Sequence, residues 1–254
     1  MQGGRNRGPA GALALLFGLG AAILAATAWA EPVPDGLGSS EMLLPAEGLV
    51  GLLSLPPWPG QGLPAVLVLH DALGPDARSS AYIDQLLGAR IAVLDLLTEA
   101  PGEAARDAAL AAIALDGRID AGRLGVLGFG AGAAAALTAP VMARALLYPG
   151  CASLPHPAAL AGAVLLAHGG ADPANPAAAC RRLAAALEGA GARVRRLDYA
   201  QASYGWDRPP SMPGEIVLLP APGLAERVAA RPWPALTTLA AAQVAGFFAL
   251  ALRP

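Results

Sequence analysis

The stretch RLGVLGFGAGAAAAL, residues Arg123 to Leu137, decides how the chain is read. A hydrophobic run meets a glycine-dense turn and then an alanine-rich segment, the order of a strand, a tight turn and a helix. Two chemistries use such a turn. Gly128, Gly130 and Ala133 fit the dinucleotide pattern G-x-G-x-x-G/A, which also needs an acidic residue roughly 20 positions on to hold a ribose. No Asp or Glu stands between Asp120 and Asp172, so that reading fails and no cofactor is expected. The same residues fit G-x-Nu-x-G, the sharp turn that presents a nucleophile, but the central position is Gly130.

Outward from the turn, short apolar runs alternate with helical stretches. PAVLVLH (64–70), RIAVLDL (90–96), RLGVL (123–127), ARALLYP (143–149), GAVLLAH (162–168) and RVRRLDY (193–199) read as strands. Residues 102–115, the segment between Pro176 and Gly189, and residues 235–252 read as helices. GLVGLLSL (48–55) reads as an early edge strand, and the Pro- and Gly-rich residues 31–47 as a surface wrap. Strands alternating with helices predict an α/β fold, a mostly parallel sheet with helices on both faces and sites at the carboxyl ends of its strands. At 254 residues, 55% hydrophobic and 14% charged, the chain suits one such domain over residues 31–254.

A formal net charge of −2 gives no electrostatic footprint for nucleic acid. No His/Cys cluster has metal-ligand spacing, so no metal is expected. Arg5 and Arg7 precede the apolar run of residues 11–30, which ends in Ala28-Trp29-Ala30 before Glu31. This order predicts a signal peptide over residues 1–30, a mature chain starting at Glu31 and export to the periplasm or medium. The alternative is an uncleaved membrane anchor, the one circumstance in which a membrane partner is expected. Cys151 and Cys180 are the only cysteines; in an oxidising compartment an even count favours a disulfide, with two buried free thiols as the alternative.

Several segments in one order carry a resemblance: HDALG after the 64–70 strand, RLGVLGFGAG, LLYPGC, LLAHGGADPANPAAACRRLAAAL and LDYAQASYGWD. Over most of residues 60–210 they resemble the dienelactone hydrolase family of α/β-hydrolases. Its exported branch is the best likeness, down to the cysteine after Tyr148-Pro149-Gly150 and the one on the late helix. The resemblance implies an α/β-hydrolase fold and a small ester or lactone hydrolase with a nucleophile, acid and histidine triad. Carried over, the nucleophile position falls on Gly130, the acid on Asp172 and the histidine on Tyr204. Glycine cannot attack, and a phenol with a pKa near 10 is a poor base at neutral pH. His70, His156 and His168 all precede Asp172, whereas this chain order needs a histidine after the acid.

The resemblance therefore implies a catalytically impaired pseudo-hydrolase that keeps the fold and a pocket for a small ester, lactone or other ligand. Two readings stand beside it: an active ester or lactone hydrolase with a non-standard nucleophile, and a non-catalytic exported protein that binds a ligand or partner. His70, Asp71 and Ala131 are the expected pocket and oxyanion-hole positions, with one hole amide from the loop after His70 and the other from Ala131. His70 and His168 also read as hydrogen-bonded structural histidines, Ser203 as a loop serine, and Trp206 as lining a cavity or capping the sheet. If the hole persists, Gly130→Ser with Tyr204→His would restore weak turnover, the new imidazole being oriented by Asp172.

Overall fold

The computed structural model describes residues 38–57 and 60–254; the expected signal peptide and the Glu31 terminus lie outside the described residues. The chain enters with β1 (Ser40–Ala46) and β2 (Leu49–Ser54), joined through Gly48 at φ +75°. There follow β3 (Leu63–Leu69), α1 (Ser80–Gly88), β4 (Ala92–Leu96), α2 (Glu103–Ala114), β5 (Ile119–Phe129) and α3 (Gly132–Leu137). The second half holds β6 (Ala143–Leu147), β7 (Ala163–Gly169), α4 (Ala177–Gly189), β8 (Arg193–Tyr199), β9 (Val217–Leu219), β10 (Val228–Ala230) and α5 (Pro234–Ala251).

Eight strands form one sheet in the order β1-β2-β4-β3-β5-β6-β7-β8. Every pair from β4 through β8 is parallel, while β2 runs antiparallel to both β4 and β1. The alternation of side chains along each strand divides the interior into two cores. Ala65, Leu67 and Leu69 of β3 face α2, α3 and α4, whereas Val66 and Val68 face α1 and α5. Helices therefore cover both faces, as the alternating pattern predicts. The central strands read as mostly apolar runs, broken only by single residues such as Asp95 and Arg144, because both of their faces are buried.

The N-terminal segment departs from the reading. Residues 40–46 form a strand, not a surface wrap, and β2 is covered by β1, not left at the edge. Nearly every β1 side chain is exposed or half-buried, so no hydrophobic pattern marks it; backbone pairing from Ser40↔Ser54 to Ala46↔Leu49 holds it in place. The β9–β10 ribbon, a separate antiparallel pair, has strands too short to carry a period.

Candidate active site

β5 ends at Phe129, and α3 starts three residues later. A strand and a helix approach this closely only without side chains between them. A Cβ on Gly128 would stand 2.7 Å from Ala133 Cα and Ala136 Cβ, and one on Gly132 would stand 2.5 Å from the His70 carbonyl oxygen. Gly130 sits at φ +49°, a conformation that costs a residue with a side chain about 1–3 kcal/mol. The turn is thus a nucleophile elbow in its backbone. A Cβ at Gly130 would overlap the Asp71 carboxylate and the Tyr204 hydroxyl, so the space into which a nucleophile would project is filled.

Asp71, two residues after the end of β3, holds the centre. Its Oδ1 accepts from the Ala72 N–H at 2.7 Å and the Ala131 N–H at 2.9 Å. Its Oδ2 accepts from the Tyr204 hydroxyl at 2.6 Å and from Arg78 Nη1 at 3.3 Å. The amides of Ala72, in the loop after His70, and of Ala131, after the elbow, converge on one acceptor, as paired amides do on an oxyanion in acyl transfer. Here the protein's own carboxylate occupies them. Asp71 is 3% exposed and Tyr204 is fully buried. Burial, reinforced by the Asp71 charge and hydrogen bond, pushes the Tyr204 phenol far above its ordinary value, so it stays a neutral donor.

Behind Asp71 lies a buried polar cluster that sequence reasoning missed. Arg78 pairs with Asp76 at 2.7 Å and reaches the Tyr148 hydroxyl at 3.3 Å. Tyr148 and Tyr82 both donate to Asp207, at 2.9 and 2.8 Å. Burial pushes the Asp207 carboxyl up to about 6 despite the opposing pull of Arg78. For Asp76 burial also raises the pKa, but the bonds and charge of Arg78 overcome it and hold the group below its usual value. Tyr148 adopts φ +39°, a strained geometry for a bulky residue. Asp207 lies within LDYAQASYGWD and Arg78 eight residues after His70, yet neither sits in a spacing that signals a partner.

The acid position is arranged differently. Asp172 accepts from the Ala174 N–H and from the Asn175 side-chain amide, each at 2.8 Å. Both of its oxygens are occupied within its own turn, and Tyr204 directs its hydroxyl to Asp71 instead. Burial lifts Asp172 to about 6, its hydrogen bonds opposing the rise. Asn175 continues the chain of contacts, its Oδ1 accepting from the Gly150 and Cys151 N–H groups. Next to it Cys151 and Cys180 are disulfide-bonded, with Cα atoms 5.0 Å apart, which removes both thiols from nucleophilic chemistry.

Most of the remaining residues have structural partners. His70 turns away from the hole to Asp95 on β4, with Nε2 to Oδ1 at 2.6 Å, and stacks near Phe129. His168 is buried, its Nε2 3.3 Å from Arg196 Nη1, and burial lowers its pKa. His156 is exposed. Ser203 anchors its loop by accepting from the Arg231 N–H at 2.8 Å. Trp206 is fully buried, packed edge-on against Tyr148 and Tyr199 rather than lining a cavity. Among the described residues no group of three or more His, Cys, Asp or Glu could hold a metal ion.

Strand order, elbow and paired amides define an α/β-hydrolase fold. No protein-family model matches the sequence, and no curated protein matches it by sequence. Solved structures match it by shape. A dienelactone hydrolase-like promiscuous phosphotriesterase from metagenomic libraries superposes with a TM-score of 0.68 at 15% identity, over 86% of this chain and 100% of the other. A thermophilic, thermostable carboxylesterase cloned from a metagenomic library gives 0.65 at 15% identity, over 86% and 90%. Esterase 2 of Thermogutta terrifontis, phosphoramylated by tabun, gives 0.63 at 16% identity, over 88% and 98%. At these identities the likeness is one of fold.

Proposed function

We propose that this chain is a catalytically silent relative of the dienelactone hydrolases, exported to an oxidising compartment, which keeps the backbone of the hydrolase site and has lost its chemistry. One observation carries the reading: Gly130 offers no nucleophile, and Asp71 and Tyr204 fill the volume where its side chain would stand. Acyl transfer needs an attacking group, a base to take its proton and an open hole for the developing oxyanion. Here the attacking group is missing, the histidine position carries a phenol that holds its proton, and the hole is occupied.

The test is hydrolysis of p-nitrophenyl acetate and a panel of short esters and lactones by purified protein. The expected rate equals the buffer blank and does not change with Asp172→Ala. Turnover well above blank that survives Asp172→Ala and resists serine-directed inhibitors would establish an active hydrolase with a non-standard nucleophile. The structure also alters the expected route back to activity. Gly130→Ser with Tyr204→His leaves Asp71 in the way, so that pair stays at blank, and weak turnover requires replacement of Asp71 as well. Export is supported by the signal-like order of residues 1–30 and by the Cys151–Cys180 bond. Intact mass of the exported protein is expected to start at Glu31; a mass retaining residues 1–30 would favour the anchor.

A further inference from the structure

Four donors converge on the two oxygens of Asp71, two on each. The Ala72 and Ala131 amides hold Oδ1, and the Tyr204 hydroxyl and Arg78 guanidinium hold Oδ2. None of the four is free to turn away. The amides are fixed by the end of β3 and by the elbow, where Gly128 and Gly132 pack against backbone. Arg78 is pinned by three further bonds to Asp76, and the Tyr204 ring lies edge-on against Tyr148 at 4.9 Å. Asp71 is thus not a surface carboxylate that happens to touch an amide, because its surroundings are shaped for a planar anion with two oxygens.

We propose that Asp71 is the tethered resident ligand of a buried monocarboxylate-binding site, and that the site takes up a free monocarboxylate anion of matching size once the side chain is shortened. The inference rests on the reading above in taking these strand ends as a hydrolase-type hole. Deleting the carboxylate takes the acceptor from the half-buried Ala72 and Ala131 amides and the buried Tyr204 hydroxyl, and leaves Arg78 with Asp76 and the Tyr148 hydroxyl alone; unpaired donors shielded from water cost more than solvent-exposed ones. A free carboxylate restores all four bonds at once, with the charge assistance that makes such bonds strong. Size selection follows from what is deleted. Asp71→Ala removes a carboxylate alone and leaves room for formate, while Asp71→Gly removes the methylene too and leaves room for acetate. Larger acids have no space, because Tyr204 is fully buried and Arg78 and Asp71 nearly so.

The experiment follows thermal unfolding of wild type, Asp71→Ala, Asp71→Gly and Asp71→Asn with formate, acetate, propionate or chloride at equal ionic strength. Formate is expected to raise the Tm of Asp71→Ala saturably by several degrees, and acetate that of Asp71→Gly. Half-saturation is expected in roughly the millimolar range set by ligands of three or four heavy atoms. Wild type and Asp71→Asn, whose holes stay filled, are expected to respond to all four salts alike. Equal responses of the two shortened variants to carboxylates and chloride would overturn the proposal, as would stabilisation by propionate as strong as by the matched acid. If Asp71→Ala does not survive purification, urea-refolding yield with formate against chloride reads the same effect; failure in both, with Asp71→Asn folding normally, also overturns it. Ester turnover by wild type would overturn the silent reading and leave these melts unaffected, and the converse holds, so the two failures are distinguishable.

Discussion

The two sides of the strand ends are built in opposite ways. On the elbow side, around β3 and β5, the backbone has the positive φ of Gly130 and two converging amides, but Asp71 and Tyr204 fill the space beside the turn. On the other side, between β6 and α4, the acid Asp172 remains, but its oxygens serve the turn of Ala174 and Asn175 and a disulfide secures the neighbouring loop. One side has the frame of an elbow without an attacking group; the other has a carboxylate with a structural task. Backbone geometry outlasts chemistry where packing requires it, since Gly128 and Gly132 are sterically obligatory whether or not anything reacts.

Arg78 sets the sharpest contrast. It is the buried cation nearest Asp71 and Asp76 and within the influence of Asp207. Arg78→Met leaves buried carboxylates uncompensated and is expected to cost about 3–5 kcal/mol at pH 7. The loss should shrink near pH 5, where Asp207, pushed up to about 6, is largely protonated. Urea midpoints at the two pH values test this, and an equal loss at both would show that the cluster is held by packing rather than charge.

The second side should give way by a different route. Replacing Cys151 and Cys180 with Ser frees a loop spanning a sequence separation of 29 and is expected to cost roughly 3–4 kcal/mol by the chain-entropy account. Addition of reductant to wild type should reproduce the loss in calorimetry. No pH dependence between 5 and 7 is expected in this difference, in contrast to Arg78→Met.

Asp172 gives the comparison a pH axis. Its folded-state pKa of about 6 lies above the 3.8 of the free group. The folded protein therefore holds a proton that the unfolded chain releases between those values. Stability from this group is fully present below about pH 4 and is lost as pH rises through about 6, a span of roughly 3 kcal/mol. Asp207 acts in the same direction; His168, lowered by burial, opposes them as pH falls below about 6.5 but is one group against two, and Asp76, held low by Arg78, opposes only below its ordinary range. The melting temperature is accordingly expected to be higher at pH 4.5 than at pH 7, and Asp172→Asn to flatten the slope. A protein that melts steadily lower on acidification from pH 7 would refute this ordering of the carboxylates.

The smallest effect probes the elbow alone. Gly130→Ala introduces about 1–3 kcal/mol of backbone strain and pushes on Asp71 and Tyr204. In an Asp71→Gly background the same change should cost less, because part of the overlap is gone. Identical costs in the two backgrounds would mean that the strain resides entirely in the backbone.

What the sequence made legible follows the same division. Mostly apolar strands, the glycine turn and the absence of any histidine after His168 are local or countable, and they pointed to the sheet and to an incomplete triad. β1 escaped because an exposed edge strand carries no period. The role of Asp71 escaped for a different reason. It was recognisable as a pocket position, but its occupation of the hole depends on Tyr204, 133 residues away, and on Arg78 folding back to meet it. No spacing rule reports contacts that only the closed sheet creates.

The filled elbow bears on the history of the molecule. With Asp71 and Tyr204 seated where a nucleophile would project, restoring serine at Gly130 by itself would insert a strained side chain into occupied space and bring no rate in return. On the proposed reading, return to chemistry needs changes at Gly130, Tyr204 and Asp71 together, and each change alone is expected to lower stability. On the proposed reading the hole's own ligand works as a ratchet: a lineage that once fills its site in this way is held on the far side of a fitness valley, free to elaborate other surfaces but not to retrace its steps.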